Sequence, residues 1–291
     1  MHASQGIAHP GGFGYKPAMS SIYLFPAAGF LTLICTWFVW SSVRSFKTNE
    51  SMDKKPAIEI FLMVSILLTI VGCFKLEPVT DQGIRFSLAS SVAIATLLVQ
   101  SMYLIGLWQH GIRGLGLILL PVTGVPLLLV PFLPHSATEH WIHTSSVLET
   151  GHLLISLLAY AILTLAAIHA IVLLMLDRAL KKKKISPIMQ AMPSLFEIEI
   201  HLFAQVRWAI TLLALGILTG LTWQWVEFQH FALLSHKVLL ALFSFTVLAI
   251  LLSKRKKSGW HGRRASYMVI AAYSLLLLAY FGARLISSWL A

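Results

Sequence analysis

From residue 21 to the C-terminus, apolar runs long enough to cross a bilayer follow one another with only short polar interruptions. A helix needs about 20 apolar residues to span the hydrocarbon layer. Eight runs reach or approach that length: 21–43, 57–74, 85–107, 114–133, 150–176, 201–223, 235–252 and 265–287. They are continuously apolar, whereas a lipid-facing barrel strand alternates from residue to residue. The predicted fold class is therefore all-α, a polytopic membrane helix bundle of about eight transmembrane helices. Composition agrees, because only 11% of the residues are charged where a water-soluble domain carries about a quarter. A single transmembrane domain is expected over 21–291, leaving no second globular unit. Residues 1–20, rich in Gly and Pro, read as a flexible extracytoplasmic tail without the basic start and short apolar core of a cleaved signal peptide.

The net charge of +11 is not a nucleic-acid footprint, because its cations are gathered in short loops between apolar runs. One alternate set of loops holds Arg44, Lys47, Lys54 and Lys55, then Arg113, then Arg178 with Lys181–Lys184, then Lys254–Lys257 with Arg263 and Arg264. The other set holds little beyond Lys16, Lys75 and Arg85. By the bias of basic residues toward the cytoplasm, the first set is expected inside and both termini outside, in a bacterial inner membrane. The runs of lysine are expected to meet lipid headgroups. Pro121, Pro126, Pro131 and Pro134 interrupt the fourth run and predict a bent or broken helix there. Cys35 and Cys73 lie inside apolar runs with no CxxC or CxxCH spacing, so neither thiol redox chemistry nor covalent haem attachment is expected. No P-loop, GxGxxG, HExxH or GxSxG occurs, and no enzymatic activity is expected.

Histidines carry the remaining chemistry. His152 and His169 share the fifth run, 17 positions apart, which is roughly 25 Å along a helix axis. One metal ion cannot use both. The other histidines sort by depth in the same way. His236 opens the seventh run on the side of His152, and His201 opens the sixth on the side of His169. Two candidate pairs follow, His152 with His236 near the outer face and His169 with His201 near the inner one. Each joins two helices, as axial ligation of a haem iron by two neutral imidazoles requires. His135, His140 and His143 lie in the outer loop before His152 and fit no specific zinc spacing. Arg207 and Arg284 are candidate partners for haem propionates. A purely structural use of the histidines, or a small transporter or accessory subunit for a metal or other solute, is the alternative reading.

Several short motifs resemble the cytochrome c assembly proteins of the CcsA/CcmC-like type. His152, Ser156 and Tyr160 match their His-x-x-x-Ser-x-x-x-Tyr helix, and "MPSLFEIE" (192–199) their P-x-L-x-x-x-E segment. "SHK" (235–237), "GWHGRRA" (259–265) and "LAYFGAR" (278–284) are similar to the elements that follow, in the same order. The motifs begin near residue 150, the helix count extends the likeness to the whole chain, and the assembly-like region is expected over about 85–290. The nearest branch in character is the HemX-like or YpjD-like inner-membrane group of about eight helices. The tryptophan-rich external loop of the haem-delivering members is reduced here to Trp223 and Trp225 before residue 234. The resemblance implies a haem-binding membrane protein, with haem b held by axial histidines near the outer face, at work in haem handling or transport or in cytochrome c-type biogenesis. It implies haem, membrane lipids and other cytochrome c maturation or membrane proteins as partners, and His152 and His236 as the matching ligand positions.

Overall fold

The computed structural model describes residues 19–45, 55–76, 84–110, 113–133, 140–142, 147–183, 186, 189, 192–229 and 235–279. The expected tail over 1–20 falls almost wholly outside them, as do His135, His143 and Arg284. Eight α-helices are present among the described residues: α1 Met19–Ser45, α2 Lys55–Leu76, α3 Leu88–His110, α4 Gly116–Leu129, α5 Val147–Lys181, α6 Leu195–Phe228, α7 His236–Ser258 and α8 Gly262–Leu277. Six of them (α1, α2, α3, α5, α6 and α7) are long and apolar enough to cross a membrane. The chain is a multi-pass membrane helix bundle.

The prolines leave α4 α-helical through Pro121 and Pro126. At Pro131 the chain tightens into a single 3-10 turn, Val130–Phe132, so the expected break lies at the helix end and not within it. Although strands were not expected, two of three residues each pair in the loops. β1 Ile84–Phe86 runs antiparallel to β2 His140–Ile142, with Arg85 opposite Trp141. The α2–α3 and α4–α5 connections therefore meet on one face of the bundle, here called the strand face. The α5–α6 and α7–α8 connections, with Lys181–Lys183 and Lys254–Lys257, mark the opposite, basic face.

Packing divides the bundle in two. α1, α2, α3 and α4 form one group, in which α1 packs on both α2 and α4. Its buried centre is polar, with Thr32 and Ser65 hydroxyls 2.8 Å apart and the Gln100 amide nitrogen donating to Thr32 Oγ1 at 3.1 Å. Such side chains bond helices together where water is absent. In the second group α5, α6, α7 and α8 form a ring: α5 and α7 each pack on α6 and α8 and stand diagonally across from one another. α5 is the pivot of the whole molecule, also packing on α3. Its small residues Ala161, Ala166 and Ala170 are fully buried, which allows neighbouring backbones to come close.

Candidate functional site

The His-x-x-x-Ser-x-x-x-Tyr stripe faces helix neighbours along α5. The ring of His152 lies against a glycine groove in α6. Its Nδ1 is 2.9 Å from the carbonyl of Gly216, and since a carbonyl only accepts, Nδ1 carries the proton. A Cβ added at Gly220 would stand 2.7 Å from Cε1 of that ring, and one added at Gly216 would stand 3.4 Å from Ser156 Oγ. Glycines four apart on α6 thus admit the first two members of the stripe. The third, Tyr160, donates its hydroxyl to the carbonyl of Leu276 on α8 at 2.9 Å. The Gly216-x-x-x-Gly220 spacing is legible in the sequence and is a known close-packing pattern in membranes, but it does not stand out beside the histidines.

His236 is the first residue of α7, beginning where the Ser235 side chain accepts from the backbone N–H of Val238. Its side chain is exposed. Among the described residues no ring contact or hydrogen bond links it to His152, and their helices are the diagonal pair of the ring.

His169 and His201 do come together. His169 is almost wholly buried in α5, and its Nδ1 lies 2.9 Å from the carbonyl of Leu165 one turn earlier. Nδ1 again carries the proton, and in the neutral ring Nε2 keeps its lone pair. The His201 ring sits 6.2 Å away between centroids, tilted by 46°. Both rings line a cavity of about 370 Å³, together with Tyr103 and Gln109 of α3 and Gln205 and Trp208 of α6. Gln205 Oε1 is buried there without a hydrogen-bond partner among the described residues. Trp208 is 65% exposed, so the cavity reaches the outer, lipid-facing surface between α3 and α6. Arg207 is exposed and does not line it. The α6 helix begins at Leu195, earlier than the apolar run predicts, because Ser194 and Glu197 form a reciprocal capping box. His201 is therefore held two turns inside a helix and not at its frayed start. Among the described residues no group of three or more metal-binding side chains occurs, and His140 sits in β2, with its backbone paired to Phe86.

The sequence matches the family model described as Cytochrome C assembly protein over residues 30–290. The chain belongs to the cytochrome c assembly family. The match takes in the α1–α4 group as well as the second group. Among curated relatives of this family, the inner membrane protein YpjD of Escherichia coli K12 is 31% identical over 216 residues, covering 73% of this chain and 79% of its own length. Protein HemX of Brevibacillus brevis is 27% identical over 160 residues, 54% of this chain and 58% of its own. A 28.8 kDa protein of Azospirillum brasilense is 33% identical over 139 residues, 47% and 50% of the two chains. No solved structure matches. Membership in the cytochrome c assembly family, with six membrane-length helices and an inner-membrane relative, makes this a multi-pass protein of the bacterial inner membrane. It also points to a role in haem handling or cytochrome biogenesis.

Proposed function

We propose that this protein binds haem b within the inner membrane and serves cytochrome c biogenesis by holding, passing on or sensing it, without itself catalysing bond chemistry. The observation that carries the reading is the pair His169 and His201 at the edge of one cavity. The donor set fits the group. The Nδ1–H of His169 is committed to Leu165, which fixes the tautomer and leaves Nε2 as the ligand atom. With 6.2 Å between their ring centroids, His169 and His201 would be the residues to hold one iron together, at metal–nitrogen bonds of about 2 Å. Gln205 Oε1, buried without a hydrogen-bond partner among the described residues, is relieved by a ligand that brings a donor or an ordered water. Bound there, the haem would supply a redox-active iron centre, and the chain's own part is to orient its ligands and exclude water. Tyr103 and Trp208 add aromatic side chains to the lining.

A second position is supported by His152, whose ring is fixed over Gly220 with Nε2 likewise left for a metal. There His236 would be the partner near the extracytoplasmic surface, once α7 turns its first residue inward. Arg207 and Arg284 are the candidate propionate partners. In this reading the basic face is cytoplasmic, both termini are extracytoplasmic, and other cytochrome c maturation proteins meet the chain in the membrane.

The test is the visible spectrum of the full-length protein in mild detergent. A Soret band with sharp α and β bands on reduction is expected, and His169→Ala is expected to lower it by about tenfold or more while His140→Ala leaves it intact. A colourless protein that stays colourless after haem addition would defeat the proposal. Loss in His152→Ala with retention in His169→Ala would move the haem to the strand face.

A further inference from the structure

Two motifs on the basic face are not used by the cavity itself, the P-x-L-x-x-x-E segment and the GWHGRRA turn, and the structure joins them. The turn from α7 to α8 is three residues long, with Gly259 at φ +59° and Gly262 at φ +54°. Left-handed backbone at both ends favours glycine and swings His261 across onto α6. There His261 Nδ1 meets Glu199 Oε1 at 2.6 Å, the last residue of the first motif. The His261 ring also stands edge-on to Phe203, one turn further along, at 6.1 Å and 72°. The Arg255 guanidinium of α7 lies 3.5 Å from the centroid of the same Phe203 ring, a cation–π contact. Phe203 is fully buried and Glu199 is largely covered, with 16% of its side chain exposed.

Glu199 and Phe203 are four apart and share one face of α6. His201 lies between them in sequence, and a step of two residues along a helix turns it to the other side, toward His169. We infer that the Glu199–His261 clasp sets the position of His201 at the cavity, so that both are positioning residues for the ligand held there. The clasp pins the back of the helical turn whose front carries the imidazole. This rests on the reading of His169 and His201 as haem ligands.

The experiment uses full-length protein in lipid nanodiscs, with and without haem. In the haem-free form, amide exchange over 195–203 is expected to quicken by roughly threefold to tenfold in His261→Ala and in Glu199→Ala, the scale of a partly shielded charge-assisted pair. In the haem-loaded form, the low-spin iron resonance is expected to shift and broaden in both variants. His261→Asn, which keeps a donor near the place of Nδ1, is expected to bring both readouts back toward wild type. Wild-type exchange and an unchanged iron resonance in both alanine variants would overturn the inference. So would failure of His261→Asn to restore either readout, which would assign the effect to ring packing on Phe203 instead. If wild-type protein carries no histidine-ligated haem, the functional reading itself fails. The clasp is then judged on exchange in the haem-free form, where unaltered protection refutes it.

Discussion

The two ends of α5 treat the same side chain differently. Near the strand face, His152 donates to a carbonyl of α6 and presses its ring onto Gly220 of that helix. Near the basic face, His169 donates to a carbonyl of α5 itself, four residues back, and its ring lies beside that of His201 at the edge of a cavity. Each arrangement puts the proton on Nδ1 and leaves the lone pair on Nε2. What differs is what holds the ring. His152 depends on how closely α5 and α6 approach, so whatever separates those helices moves it. His169 carries its own support, so its orientation survives small shifts between helices, and only its partner depends on α6. A ring fixed by its own helix beside a void is suited to a ligand that comes and goes, whereas a ring wedged into a neighbour's groove is first a packing element.

The sharpest way to break this contrast is to remove the partner and keep the self-supported ring. In His201→Ala, Nε2 of His169 is still oriented by Leu165, so haem is expected to bind by one imidazole only. Content should fall by about tenfold or more, since losing a ligand costs no less than losing a group that orients one, and the remaining pigment should be high-spin. Optical and resonance spectra of purified protein check this. Equal and complete loss in His201→Ala and His169→Ala would mean that neither ring holds iron alone, and the proposed asymmetry would be gone.

A middle-sized effect is expected from Gly220→Ala. The new Cβ would fall 2.7 Å from the His152 ring, so either the ring leaves the Gly216 carbonyl or the helices part. Overpacking of this kind costs about 1–3 kcal/mol, offset only in part by the better helix propensity of alanine. Thermal unfolding in detergent should show a lowered midpoint. Truncating the ring removes the clash, so Gly220→Ala is expected to cost much less in a His152→Ala background, a coupling that a double-mutant cycle measures. Additive effects would show that ring and glycine do not share the groove.

The sequence made the fold legible because lipid leaves few choices. Apolar runs of the right length specify helices, and each of the eight falls on a described helix. The larger departures are α6, which starts six residues early where Ser194 and Glu197 cap it, and the C-terminal ends of α5, α6 and α7, which run five or six residues past the apolar runs. The depth of each histidine was equally plain, since 1.5 Å per residue needs no tertiary information. Depth predicted that His169 and His201 share a level, and the rings are indeed neighbours. It also put His152 and His236 at one level, yet level says nothing about position around the ring of helices, where α5 and α7 turn out to be diagonal. The polar lining of the cavity is not legible in the sequence for a related reason. Gln109 and Gln205 carry no charge and sit in no motif, and only packing reveals that they converge beside two imidazoles.

The smallest expected effect separates stability from binding at that cavity. Gln205 Oε1 is buried without a hydrogen-bond partner among the described residues, and a buried acceptor left unsatisfied costs about 1–3 kcal/mol. Gln205→Leu removes that cost at similar volume, so the haem-free protein should unfold at a slightly higher temperature, by the equivalent of about 1 kcal/mol. Affinity for the ligand should move the other way, because a polar group that the empty cavity does not satisfy gains its partner only on binding. At the strand face no such opposition is expected, since His152 is already satisfied by Gly216 and truncating it only removes packing. Stability in haem-free and haem-loaded protein, measured on the same variant, gives both signs. A Gln205→Leu protein that is less stable when empty, or that holds haem as tightly as wild type, would show that the amide is satisfied in another way and that the cavity was not shaped around a polar guest.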